Sequence, residues 1–229
     1  MSFARSIEAE WLDALPADDP RAMRSRRDLR RVNGLMQQVG IMARLLEAHH
    51  SGARPRRIVE LGGGDGTFML RVAKRLGWRD VELMLVDQHD IVAEATCESF
   101  AALGWRLRIR QANVFDFLGQ ESEISDVVTA NLFLHHFGDA ELVRLLAGAA
   151  GLAPLFVACE PRRSALALLG ARMLFAIGCN DVSRHDAVAS VRAGFAGSEL
   201  SRLWPTAGNW RFHERPAWPF THAFVASMT

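Results

Sequence analysis

A glycine-rich run, Glu60-Leu61-Gly62-Gly63-Gly64-Asp65-Gly66-Thr67, offers the first chemistry in this sequence. It follows the short β-branched stretch Arg57-Ile58-Val59 and opens a helical pattern. Glycines let the backbone turn sharply and approach a ligand closely, and the start of a helix presents N–H groups that have no partner in the chain. A nucleotide-like ligand suits that arrangement. Gly62, Gly64 and Gly66 stand at GxGxG spacing, and Thr67 takes the place of the last glycine of the dinucleotide fingerprint, which argues against NAD and FAD. Asp87 ends the next apolar run, 21 residues beyond Gly66. A carboxylate there can accept from both hydroxyls of a ribose, with a helix cap or surface aspartate as the plainer alternative.

Candidates for proton transfer are His135 and His136, in Asn131-Leu132-Phe133-Leu134-His135-His136-Phe137, and His185, in Ser183-Arg184-His185-Asp186. A histidine titrates near 6.5, so each could act as a base at neutral pH. The 135–136 pair could equally pack against the following helix. Ser183 could cap a helix with Asp186 at its third position, leaving the imidazole beside a carboxylate, and the same pattern could be a cap with a surface ion pair. Glu160 and Arg162, in Glu-Pro-Arg-Arg, could line an acceptor site but read more simply as a solvated loop. Cys97, Cys159 and Cys179 are far apart and lack CxxC spacing, so neither a disulfide framework nor a zinc site is expected, and a reducing, cytoplasmic setting is.

These residues need elements to hold them at one place. Apolar positions from Leu29 through Val32, Leu35, Met36, Val39, Met42, Leu45 and Leu46 recur every three or four residues and predict one amphipathic helix ending near Ser51–Gly52, after a loosely ordered lead-in over 1–27. From Pro55 short strands at 57–61, 81–86, 106–111, 126–130 and 154–159 alternate with helices that begin at Thr67, Asp90 and Asp139. A largely helical insertion spans 161–205, and two strand-like runs, 209–214 and 219–226, close the chain without a helix between them. The expected fold is α/β and Rossmann-like: a seven-stranded, mostly parallel sheet with an antiparallel edge strand, helices on both faces and an N-terminal helical extension. It forms one domain over 1–229, divided into a helical lid (1–52), a cofactor-binding core (53–160), an acceptor insertion (161–205) and a C-terminal strand pair (206–229).

Composition narrows the partners. With 229 residues, 49% of them apolar, and a formal charge of +1, the chain supports one good core and no strong field for a polyanion, so nucleic acid is not expected and an anionic membrane would need a local patch. Glu8 and Glu10 stand where a signal peptide would be apolar, and the greasy stretch 165–178 is too short to span a bilayer, so no membrane span is expected.

The junction at 60–66 resembles the first motif of the class I methyltransferases, acidic-x-GxGxG, and the resemblance runs from Val59 to about Leu146. It implies S-adenosyl-L-methionine as cofactor. Glu60 would help organise the methionyl amine, the glycine loop would approach the amino-acid part, a residue of Asn113-Val114-Phe115-Asp116 would face the adenine, and Asn131 would contact the methionyl part. Asn113 stands where the family often has aspartate. The implied cofactor set is Glu60, Gly62, Gly63, Gly64, Gly66, Asp87, Gln88, Asn113, Val114 and Asn131. The stretch 185–199 (HDAVASVRAGFAGSE) and 219–225 (PFTHAFV) resemble a bacterial small-molecule O-methyltransferase subgroup accompanying polyketide or phenolic-lipid pathways. That implies O-methylation of a small apolar acceptor, phenolic, quinol or polyketide-like, with His185 as base, oriented by Asp186, and His136 second. No acidic and Asn cluster matches the magnesium-dependent catechol enzymes, so no metal is expected. The greasy insertion could also form a homodimer contact. The competing readings are a non-catalytic S-adenosylmethionine-binding subunit, a methyltransferase acting on a macromolecule, for which the Arg21 to Arg31 face speaks, and an NAD-dependent oxidoreductase.

Overall fold

Side-chain alternation decides the centre of the molecule. In β1 (Arg57–Leu61) and β2 (Val81–Asp87) successive residues leave opposite faces of the pleat. Ile58, Leu83 and Leu85 therefore enter one core, and Val59, Leu61, Met84 and Val86 enter a second. Both faces being apolar, each must be covered by helices.

The computed structural model describes residues 3–12, 14–16, 18–50 and 52–229, without the side chains at 29, 30, 33 and 35. Helices α1 (Pro20–Leu35) and α2 (Gln38–His49) precede β1. The sheet is then built through α3 (Thr67–Leu76), β2, α4 (Glu94–Ala102), β3 (Trp105–Gln111), α5 (Val114–Gln120), β4 (Val127–Asn131), α6 (Asp139–Leu152) and β5 (Leu155–Pro161). Helices α7 (Ala165–Arg172), α8 (Asp181–Ala193) and α9 (Glu199–Leu203) lead to β6 (Trp210–Ala217) and β7 (Thr221–Met228). The strand order is β3-β2-β1-β4-β5-β7-β6, with β1 to β5 parallel and β7 antiparallel to both its neighbours, the expected seven-stranded sheet with its antiparallel edge. Helices α2, α3 and α4 cover one face, and α5, α6 and α9 the other. No helix of the described residues is long and apolar enough to cross a membrane.

Chain order reverses at β1, with β2 and β3 on one side and β4 and β5 on the other. Loops leaving the carboxyl ends of β1 and β4 therefore diverge and open a crevice.

Three elements depart from the periodicity. The N-terminal helix starts at Pro20, a residue suited to a first helical position, with Asp19 as its cap accepting from the Arg21 N–H. It is broken at Gln37, whose φ of 54° is left-handed, so one expected helix becomes two. The second ends at His49; Ser51, the expected stop, lies outside the described residues. Helix α4 starts at Glu94 rather than at Asp90, and α5 is a further helix that the periodicity does not predict.

Candidate active site

The glycine loop is latched to β2 before any ligand is considered. The N–H groups of Gly62 and Gly63 both donate to the Val86 carbonyl, at 2.9 and 3.1 Å. Gly62 has φ of 72°, and a Cβ there would meet the Phe133 ring at 2.2 Å, so both backbone and packing demand glycine. Asp87 staples the loop from the end of β2: one carboxylate oxygen accepts from the Gly64 N–H and the other from the His89 N–H, each at 2.9 Å. Below this edge lies a cleft of about 740 Å³, lined by Gly62, Gly63, Gly64, Asp87, Gln88, Val114 and Asn131 among others.

Three of the expected cofactor residues lie elsewhere. Glu60 is 2% exposed beneath the loop, hydrogen-bonded by the Thr129 hydroxyl; burial pushes its carboxyl up to about 8, and it does not line the cleft. Gly66 is the cap of α3, packed on Leu85. Asn113 is the cap of α5: its side-chain oxygen accepts from the Phe115 N–H at 2.9 Å, so the acceptor proposed for an adenine is spent on a helix end, and Val114 faces the cleft instead.

Two observations on the cleft wall fit a polar nucleoside cofactor. The side-chain oxygen of Asn131 is buried and has no hydrogen-bond partner among the described residues, an acceptor waiting for a donor. A Cβ on Gly64 would meet nothing within 4 Å, so the loop stands clear on that side.

The titratable cluster beside the cleft is organised by Glu160, a residue whose Glu-Pro-Arg-Arg context reads more simply as a solvated loop. Glu160, at the end of β5, is fully buried and gathers the turn after β4 around itself. One oxygen accepts from the N–H groups of Phe133 and Leu134 at 3.0 and 2.9 Å; the other accepts from the His135 N–H at 3.3 Å and from its ring Nδ1–H at 2.8 Å. The other ring nitrogen, Nε2, faces Glu10 at 3.4 Å. Burial alone would strip the His135 proton, but hydrogen bonds to Glu10 and Glu160 outweigh it and push the ring up to about 9. Glu10 is drawn below the usual carboxylate range against its own burial, through His135 and the Ser190 hydroxyl. The sequence signal for Glu160 is positional: it stands at the end of β5 on the edge where Asp87 ends β2 and Asn131 ends β4.

His136 also lines the cleft, its ring 4.3 Å from that of His135, and both face a second cavity of about 520 Å³ on the other side of Glu10. Glu10, His135 and His136 bring ligand atoms within 4.8 Å of one another. An imidazolium held between two carboxylates offers no lone pair to a cation, so the set reads first as an ion-paired cluster.

The expectation for His185 is corrected. Its ring stacks on Trp11 with centroids 3.9 Å apart, and it does not line the cleft. Asp186, 2.9 Å from its Nδ1, also accepts from the N–H groups of Trp11 and Leu12, so it ties down the N-terminal segment. The cap of α8 is Asn180, not Ser183, which is buried against Ser25 and Asp28. The same segment is pinned by Arg5, which donates to the carbonyls of Ala193 and Phe137 at 2.7 and 2.9 Å. Residues 3–12 thereby form a strap that carries Glu10 to the cleft.

Residues 58–153 match a family described as a methyltransferase domain. Among solved structures, the chain is similar to an O-methyltransferase family protein from Burkholderia thailandensis, with a TM-score of 0.63 and 22% identity over 93% of this chain and 61% of that one. It is also similar to the plantazolicin methyltransferase BamL, solved with a triazolic desmethylPZN analog and SAH, at a TM-score of 0.67 and 12% identity over 93% and 92% of the two chains. The mitomycin 7-O-methyltransferase MmcR is similar at a TM-score of 0.63 and 19% identity over 95% and 60%. This chain spans less than two thirds of the Burkholderia and mitomycin proteins. A search of curated protein sequences finds no match.

Proposed function

We propose, with residues 58–153 as a class I methyltransferase domain, that this chain uses S-adenosyl-L-methionine to methylate an oxygen of a small, largely apolar acceptor of phenolic, quinol or polyketide-like type. The observation that carries the transfer reading is His135, held by Glu160 on the wall of the cleft that the glycine loop overhangs. When bound, the cofactor supplies a methyl group already activated on a sulfonium.

The chain's own residues then have two tasks. Asn131 and the loop at Gly62 to Gly64 would hold the donor, and Asp87 and Gln88, which line the same cleft, would face its ribose. His135 would take the acceptor's proton. Its Nδ1–H is committed to Glu160, which fixes the tautomer, so the neutral ring, formed near and above pH 9 in the free protein, would receive the acceptor's proton at Nε2 as the acceptor oxygen takes the methyl group and the C–S bond breaks, leaving S-adenosylhomocysteine. An acceptor hydroxyl would take the place of Glu10 at Nε2. Helix α1 and the 161–205 region supply much of the apolar lining, with Val32, Met36, Leu174 and Val191, which favours an acceptor whose reactive hydroxyl is its main polar group. Three free thiols accord with a reducing, cytoplasmic setting.

The test has two arms. Calorimetry should find saturable binding of S-adenosylhomocysteine and none of NAD. On a phenolic acceptor that turns over, His135→Ala should lower kcat by about 10²–10⁴, the span of general base catalysis, with cofactor affinity nearly unchanged. Equal turnover by His135→Ala would leave catalysis to proximity alone, and binding of NAD in place of S-adenosylhomocysteine would remove the transferase reading.

A further inference from the structure

Helix α7 and the turn after it present an apolar face to solvent. Leu166, Leu169, Met173, Phe175 and Ile177 are 44–57% exposed, whereas exposed large apolar residues are ordinarily scattered singly. Leu166, Leu169 and Met173 recur at helical spacing on the outer side of α7, whose inner side packs Ala167 and Ala171 near Val191 of α8. Arginines rim this face. Arg172 is exposed between Leu169 and Met173, Arg24 of α1 reaches the Gly178 carbonyl at 3.4 Å, and the Arg184 guanidinium lies 5.8 Å from the centre of the Phe175 ring. Asp181 is the exposed acid at the head of α8, and Arg21 is paired with Asp19. In a chain of net charge +1, this basic excess is local.

We propose that this face docks on an anionic lipid surface. Apolar side chains of a helix lying in the interface enter the boundary between headgroups and acyl chains, while arginines extend their stems and keep their charge among the phosphates. A second copy of the chain fits less well, because a two-fold contact sets a patch against itself and would bring Arg24, Arg172 and Arg184 toward their own counterparts. Met173 and Ile177 belong both to the exposed face and to the cleft lining, so the docked face is continuous with the cavity. A lipid-like acceptor would pass from the bilayer along these two residues without crossing water; this route rests on the apolar-acceptor reading above, whereas the docking does not.

Cosedimentation of the full chain with phosphatidylcholine vesicles, with and without phosphatidylglycerol, tests the proposal. Binding is expected to the anionic vesicles and to weaken as salt is raised. The double variant Leu169→Asp/Phe175→Asp should lower the partition coefficient by about tenfold or more. Arg24→Glu/Arg184→Glu should lower it by at least about fivefold per arginine removed. S-adenosylhomocysteine affinity, measured in the same variants, should be unchanged and reports an intact fold. If the wild type binds vesicles but no S-adenosylhomocysteine, the docking stands and the transferase reading fails. Absence of binding to anionic vesicles at low salt, or equal binding by the Leu169→Asp/Phe175→Asp variant, overturns the docking. A dimer in sedimentation velocity that this variant dissolves, without vesicle binding, would show the face to be a protein interface and would equally overturn it.

Discussion

His135 keeps its proton to about pH 9 because two carboxylates outweigh its burial, and the two differ in kind. Glu160 belongs to the sheet edge and also holds three backbone N–H groups, so it is fixed. Glu10 belongs to the strap and touches the ring only at Nε2. Replacing Glu10 by Gln removes one of the groups that favour the imidazolium while leaving the dyad in place. The basic form of His135 then appears at lower pH. The rise of kcat/KM with pH, set near 9 in the free wild type, should move downward by about one unit or more in Glu10→Gln, with a higher kcat/KM at pH 7. A profile unmoved by Glu10→Gln would separate the observed base from His135. The paired histidines after β4 were legible in the chain as candidates, although it favours His185, then His136, over His135 as the base. Glu160 was not, because whether a Glu-Pro-Arg-Arg run is solvated or buried depends on how β7 and the N-terminal strap cover the end of β5.

At the scale of elements, the loop between β1 and α3 separates what the fold requires from what a ligand requires. Gly62 is demanded by Phe133, whereas Gly64 has open space where a Cβ would go, although its φ of 52° is left-handed. Gly64→Ala should therefore destabilise the free protein only by the conformational strain, about 1–2 kcal/mol by chemical denaturation. Its affinity for S-adenosylhomocysteine should fall by more than that strain accounts for, because the added methyl group enters the cleft. An affinity equal to wild type would place the cofactor away from this turn. Strand and glycine signals of this kind are local, and the strand bounds agree to within two residues except in β6, which ends three residues beyond the expected 214. Two caps do not agree: α4 starts at Glu94 instead of from Asp90, and α8 is capped by Asn180 instead of Ser183, because which residue starts a helix depends on where the preceding chain is held.

For the whole molecule, two buried groups make stability fall with rising pH. Glu60, pushed up to about 8, and His135, pushed up to about 9, both bind their protons more tightly folded than unfolded. Each contribution is complete below the unfolded values, near 4.5 and 6.5, and is lost as pH rises through the folded ones. Glu10 and Glu214, held low in the fold, act in the opposite direction and lose their contribution on acidification. The free protein should be most stable in mildly acidic buffer and lose on the order of a few kcal/mol by pH 9. Glu60→Gln, which can still accept from Thr129, should flatten the decline between pH 5 and 8 in thermal melts. An unchanged slope would mean that Glu60 titrates as an ordinary carboxyl.

Much of this architecture follows from the chain alone. Pleat alternation, GxGxG spacing and helical periodicity are local properties, and they suffice for a seven-stranded sheet with a nucleoside-type loop at the end of β1. The assignment of Asp87, Gln88 and Asn131 to the cleft edge follows from their places at or next to strand ends. What the tertiary structure alone decided is which titratable groups meet. Glu10, His135 and Glu160 are separated by 125 and 25 residues and come together only because the strap crosses α8 and because β5 lies beside β4. His185 carries a carboxylate neighbour in sequence, yet Trp11 covers it and Asp186 is taken by backbone N–H groups. Adjacency in sequence fixes a distance but not an environment, and burial and long-range partners set the proton affinity on which the chemistry depends.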